Sequence, residues 1–152
     1  QGENISGLRP EMSEVRSQGS RAIHHFSDLI VWQKAFDLGL KVFVARKGWP
    51  KEEKYALIDQ VRRSSRSVGA NIAEAWGKRR YEAHFISKLS DADAELHETE
   101  HWLRFALAHG YLPEGELKAM SGLLDEVGRM LGSMMAKPAP FLLVREKAPS
   151  EL

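Results

Sequence analysis

Apolar positions recur at helical spacing through four successive stretches of the chain, and no window alternates polar and apolar residues in the manner of a strand. In the first stretch the stripe is Leu29, Trp32, Phe36, Leu40 and Phe43, with Ser27 or Asp28 as its cap and Gly48 as its stop. Trp49-Pro50 is a tight link, and the proline suits the first position of the next helix. The second stretch runs from Lys51 to about Lys78. Its seam, Ile58, Val61, Ser65, Val68, Ile72 and Ala75, alternates steps of three and four without a fault, as in a heptad. A helix of that length spans ~40 Å. Small residues crowd it (Ser64, Ser65, Ser67, Gly69, Ala70, Ala73), which points to close approach by a neighbouring backbone.

A basic joint, Lys78-Arg79-Arg80, leads to the third stretch. There Phe85, Leu89, Ala92, Leu96, Thr99, Leu103 and Ala106 keep the same rhythm, and Gly110 is placed as a helix-ending glycine. After Tyr111-Leu112-Pro113 the fourth stripe is Leu117, Met120, Leu124, Val127, Leu131 and Met134, halted by Lys137-Pro138. Four helices with short joints predict an all-α fold, an antiparallel up-down-up-down four-helix bundle, with axes about 20° apart. The expected division is 1–25 as a disordered or vector-derived segment, 26–137 as the bundle, and 138–152 as a flexible tail whose Phe141-Leu142-Leu143 shows no period.

At 152 residues with 43% hydrophobic composition, one domain with one core is expected. The absence of cysteine excludes disulfides, thiolate metal sites and cysteine nucleophiles. No apolar run approaches the ~18–20 residues of a membrane span, and the start lacks the apolar core of a signal peptide. The expectation is a soluble cytoplasmic protein with no membrane partner.

Charge changes the picture more. The formal net charge is +1, yet its distribution is lopsided. Between Lys41 and Lys88, 12 cations face 5 acids, a balance of +7. Between Asp91 and Glu116, one cation faces 7 acids, a balance of −6. A local basic surface can neutralise phosphates and release counterions without a net positive protein. The competing expectation is that the two stretches pair with each other, across adjacent helices or across subunits.

His97-Glu98-Thr99-Glu100-His101 is H-E-x-x-H in letters, the helical motif in which two histidines bind zinc and the glutamate activates its water. The continuation fails, with Arg104 where the next glycine would stand, and no strand is expected to hold a substrate. A di-metal carboxylate bundle would need Glu-x-x-His on two helices, and Glu98 to His101 supplies one. No metal, no cofactor and no catalysis are therefore expected, with a zinc hydrolase at His97, Glu98 and His101 as the least favoured reading.

On the second helix Ser67, Asn71, Glu74 and Lys78 form a polar stripe beside the apolar seam, and Trp32, Trp76 and Trp102 add bulk beyond what one seam needs. A second small or polar face suggests packing against another subunit, with Ser67, Asn71, Glu74 and Trp76 as the interface.

These residues resemble a known family. FSDLIVWQKA (26–35), WPKEEKYAL (49–57), QVRR (60–63) and SVGANIAE (67–74) are similar to F-x-x-L-x-V-W-Q-K-A, F-P-x-E-E-x-Y-x-L, Q-x-R-R and S-x-x-x-N-I-A-E. The pattern is that of the four-helix-bundle proteins encoded in intervening sequences of bacterial 23S ribosomal RNA genes, related to the accessory variability protein of diversity-generating retroelements. The chain departs from it at Ala75-Trp76-Gly77, where G-Y-G is usual, and at Ser64-Ser65, where a small pair containing alanine is common. The resemblance implies a ring-like homopentamer, and a basic surface that in the retroelement relatives binds nucleic acid and a reverse transcriptase. The leading expectation is a non-enzymatic homo-oligomer that binds RNA or DNA through Arg62, Arg63, Arg66, Lys78, Arg79, Arg80 and Lys88. The alternative is a protein-interaction scaffold whose basic residues make intersubunit salt bridges.

Overall fold

The computed structural model describes residues 23–144. Among them the architecture is an all-α four-helix bundle: α1 Ile30–Ala45, α2 Asp59–Gly77, α3 Glu82–Ala108 and α4 Glu114–Ala136. Each helix packs against its neighbours in the chain, and α1 packs against α4 to close the square. Cross-helix contacts give the directions. Glu74 meets Lys88 while Ser64 meets Thr99, so α2 and α3 are antiparallel. The Cβ position of Gly69 faces Trp32 and that of Gly39 faces the Ser65 carbonyl, so α1 and α2 are antiparallel too.

Three of the four stripes are buried as the spacing predicts, except that Ile58 and Leu117 at their starts are only partly buried. Val61, Ser65, Val68, Ile72 and Ala75 of α2, all seven named positions of α3, and Met120, Leu124, Val127, Leu131 and Met134 of α4 lie in one core. The first helix is different. It buries Val31, Ala35, Leu38 and Val42, whereas Phe36 and Leu40 of the expected stripe are 52% and 41% exposed. This helix is apolar on more than one face, with its polar residues confined to Gln33, Lys34, Asp37 and Lys41, so spacing alone leaves two stripes to choose between. The slimmer one faces inward because α1 and α2 run close together. A Cβ added at Gly39 would meet the Ser65 carbonyl oxygen at 3.8 Å, and Trp32 Nε1 lies 3.5 Å from the corresponding position at Gly69. A line of phenylalanines would hold these two backbones apart.

The helix ends show which local chemistry operates. Neither Ser27 nor Asp28 caps α1 in the expected way. His25 caps a 3-10 turn, Phe26–Asp28, and the Asp28 carboxylate accepts from the His25 backbone N–H at 3.0 Å. Pro50 lies just before, not inside, the next helical run, which passes through a 3-10 turn (Lys51–Glu53) and a π turn (Lys54–Ile58) before α2. Gly110 has φ +77°, and Tyr111 N–H donates to the Ala106 carbonyl while Gly110 N–H donates to that of Leu107, a Schellman ending.

The chain also stays on the bundle after Pro138. Ala139–Phe141 forms a 3-10 turn, Phe141 stacks against Phe85 at 6.2 Å between ring centroids, and Leu143 N–H donates to the Arg79 carbonyl. The tail expected from Pro138 onward is therefore packed as far as Leu143, because two large apolar side chains find the open end of the core. The expectations for 1–22 and 145–152 lie outside the described residues. Among the described residues no helix is long and apolar enough to cross a membrane.

Candidate functional site

The seven cations singled out in the sequence do not form one surface. Arg62 and Arg66 are successive turns of α2 on one face, and Arg63 points elsewhere, as its angular offset of about 100° requires. Arg63 Nη2 lies 3.3 Å from Gln60 Oε1 and 3.8 Å from Glu98 of α3. Arg62 and Arg66 instead turn toward the Phe43 ring on α1, their guanidinium carbons 5.4 and 5.8 Å from its centroid.

Two further cations join them there. Arg46, just past the end of α1, sits 4.2 Å above the same ring, and the Lys47 ammonium is 6.0 Å away. Arg46 and Lys47 belong to the basic stretch but not to the seven expected contact residues, and Phe43, expected in the core stripe, is only partly buried. The available signal was the spacing Phe43-x-x-Arg46, one turn of helix, next to an apolar position on the outer face. Asp59, Arg62, Arg63, Arg66, Ser67 and Ala70 line an open groove of about 410 Å³ beside this cluster.

The remaining three groups behave differently. Arg79 closes the end of α2: its Nη1 donates to the Trp76 carbonyl at 2.7 Å and its guanidinium covers the Trp76 ring at 3.9 Å. That is a helix cap, favoured by the negative end of the helix dipole. Lys78 and Arg80 flank it and are exposed. Lys88 is engaged by Glu74 at 2.8 Å and Asp91 at 3.7 Å. The Lys88 ammonium, donating to Glu74, holds that carboxyl below its ordinary value, and Glu74 raises Lys88 in return.

The residues expected at a subunit interface are also partly engaged within the chain. Asn71 Nδ2 donates to the Ser67 carbonyl at 2.9 Å, Glu74 holds Lys88, and Trp76 packs partly buried on the core beneath Arg79. Exposed apolar side chains recur instead on α1, where Phe36, Leu40 and Val44 stand at every fourth residue with 52%, 41% and 62% exposure.

The H-E-x-x-H side chains are engaged with different neighbours. His97 Nδ1 lies 2.8 Å from the Asp93 carbonyl, whereas His101 packs edge-on against Trp102 and Phe105. Glu98 accepts from Trp102 Nε1 at 3.2 Å. Nearby, burial and the neighbouring Glu98 carboxylate push Glu95 upward, with Arg63 opposing. No group of three or more histidine or carboxylate side chains suited to a metal occurs among the described residues.

The family model described as 23S rRNA-intervening sequence protein matches residues 27–133. A solved structure, a protein of unknown function from the S23 ribosomal protein family of Bacteroides thetaiotaomicron, is 29% identical with a TM-score of 0.63. The match covers 70% of this chain and 98% of that one. No curated protein matches the chain.

Proposed function

The chain belongs to the 23S rRNA-intervening sequence protein family, and from that footing we propose that it is a non-enzymatic, homo-oligomeric bundle that binds RNA or other nucleic acid through the basic surface of α1 and α2. One observation carries the nucleic-acid reading. The basic and acidic stretches scarcely neutralise each other: among the described residues the ion pairs that join them are Arg63 to Glu98 and Lys88 to Asp91. Arg46, Lys47, Arg62 and Arg66 make no ion pair with a carboxylate there, and neither do Lys78 and Arg80. Lys47, Arg66, Lys78 and Arg80 are exposed and Arg46 and Arg62 half-buried, and accessible cations left without carboxylates are what a polyanion neutralises.

Association is supported by the α1 stripe of Phe36, Leu40 and Val44, with a second copy of this chain as its occupant and a pentamer as the number the family resemblance implies. The second reading, a scaffold whose arginines bridge subunits, draws on the same stripe, because Arg62 and Arg66 project from the adjacent helix.

The test is fluorescence anisotropy of a labelled RNA oligonucleotide across a salt series, with Arg62→Gln/Arg66→Gln and Lys78→Gln/Arg80→Gln beside the parent protein. The proposal expects binding that weakens steeply with salt and less steeply in the variants. Absence of binding at low salt by the intact oligomer would overturn it in favour of the scaffold.

A further inference from the structure

We infer that Arg46, Arg62 and Arg66, gathered over the ring of Phe43, form a cradle for a single phosphate group of a nucleic-acid backbone, with Lys47 at its rim. This rests on the nucleic-acid reading above and narrows it to one contact point.

The cradle joins two elements. Arg46 closes α1, and Arg62 and Arg66 rise from successive turns of α2. Phe43 is the common surface, with the three guanidinium carbons between 4.2 and 5.8 Å from its centroid. A guanidinium drawn to a ring loses freedom in advance of binding, because the electron-rich face attracts it. The Nε atoms of Arg46 and Arg62 are sealed from water without an acceptor. The Nη edges are then the donors left to an outside group.

Charge decides what that group is. Four cations surround one ring, and Asp59 supplies a single negative charge to the adjoining groove. Their mutual repulsion is relieved by an anion with several acceptor oxygens. A phosphate presents tetrahedral oxygens to more than one arginine fork, whereas a carboxylate suits one fork at a time. A base cannot stack on the face of Phe43 that Arg46 covers. The contact therefore positions a backbone and reads no sequence. The Lys78-Arg79-Arg80 joint does not share it, since twelve residues of helix put Lys78 ~18 Å from Arg66.

The experiment uses the full chain, fluorescein-labelled oligouridylate and oligoadenylate, and anisotropy over a potassium chloride series. Arg46→Gln and Arg66→Gln are each expected to bind severalfold more weakly, with a log–log salt slope flatter by about 0.7 for the lost contact. Arg46→Lys is expected to keep the slope and lose affinity, because an ammonium has charge but no fork. Both oligonucleotides should respond alike. Inorganic pyrophosphate should raise the melting temperature of the parent protein and not of Arg46→Gln. Unchanged binding by Arg46→Gln and Arg66→Gln, with loss in Lys78→Gln/Arg80→Gln, would overturn the cradle and leave the nucleic-acid reading standing. If the parent protein binds neither oligonucleotide, that reading fails, and the pyrophosphate shift decides the cradle: present and lost in Arg46→Gln, it stands as an anion site; absent, it falls. Dissociation of Arg66→Gln to single chains would overturn it too, because the arginines would then be subunit contacts.

Discussion

The hydroxyls of Ser64 and Thr99 meet 2.9 Å apart, fully buried, across the seam between α2 and α3. Each also reaches back to its own helix, Thr99 to the Glu95 carbonyl at 2.8 Å and Ser64 to that of Val61 at 3.3 Å. The single Thr99 proton is shared between Ser64 Oγ and the Glu95 carbonyl while Ser64 donates to Val61, so each hydroxyl keeps a partner when the other is removed. Thr99→Val is expected to cost about 1 kcal/mol, the net worth of one hydrogen bond. Adding Ser64→Ala should cost less than the sum of the two single changes. Urea unfolding of the parent and the three variants of the cycle checks both; strict additivity would mean that the hydroxyls do not interact.

The pair Glu74–Lys88 carries a pH dependence. Glu74 is lowered from its ordinary 4.5, so its share of stability is present above that value and lost as pH falls through the lowered one. Lys88 is raised from 10.5, so its share is present below that value and lost as pH rises through the raised one. The pair therefore contributes across the neutral range, weakly, because Glu74 is exposed, Lys88 is only half-buried and salt screens them. Lys88→Gln should lower the melting temperature slightly at neutral pH and low salt, with a smaller difference once Glu74 is protonated and only the longer contact to Asp91 is left. The same variant should leave RNA affinity nearly unchanged. A loss as large as that of an Arg66 variant would restore Lys88 to the binding surface.

Phe36 and Leu40 stand outward on α1 at 52% and 41% exposure. Phe36→Ser/Leu40→Ser is expected to leave the helix content intact and to bring the particle mass by light scattering down toward the 17.2 kDa of one chain. An oligomer of unchanged mass would place the interface elsewhere, with the α2 residues Ser67 and Trp76 next in line.

Trp49 is buried, and its Nε1 has no hydrogen-bond partner among the described residues. An unsatisfied buried donor costs about 1–3 kcal/mol, which opposes the packing gained by the larger ring. Trp49→Phe, the residue the family pattern carries at this place, should unfold within about 1 kcal/mol of the parent. A loss of several kcal/mol would show that the indole volume outweighs its stranded N–H.

The sequence reveals the bundle because α2, α3 and α4 each have one apolar face, so spacing and burial agree. It misplaces α1 because Val31, Ala35, Leu38 and Val42 compete with Trp32, Phe36, Leu40 and Phe43, and the winner depends on how close α2 approaches at Gly39 and Gly69. The cations of the candidate site were visible as a charge imbalance. Their sorting was not: Arg79 caps, Lys88 pairs, Arg63 reaches α3, and Arg62 and Arg66 join Arg46 on a phenylalanine. That division depends on cross-helix neighbours, which one-dimensional spacing does not contain.

The closed square of helices has a consequence for the order of assembly. Contacts between successive helices form locally, and α2 with α3 is the most extensive of these pairings. The join of α1 to α4, marked by the ion pair of Lys34 with Glu126, spans 92 residues. Loop closure makes that join the slowest to gain. On a ribosome the α2–α3 hairpin would be complete while α4 is still being made, leaving α1 half-clad. Substitutions at Ser64 and Thr99 are accordingly expected to slow refolding, and those at Lys34 and Glu126 chiefly to hasten unfolding, in stopped-flow measurements. The reverse pattern would mean that the two ends of the chain find each other first.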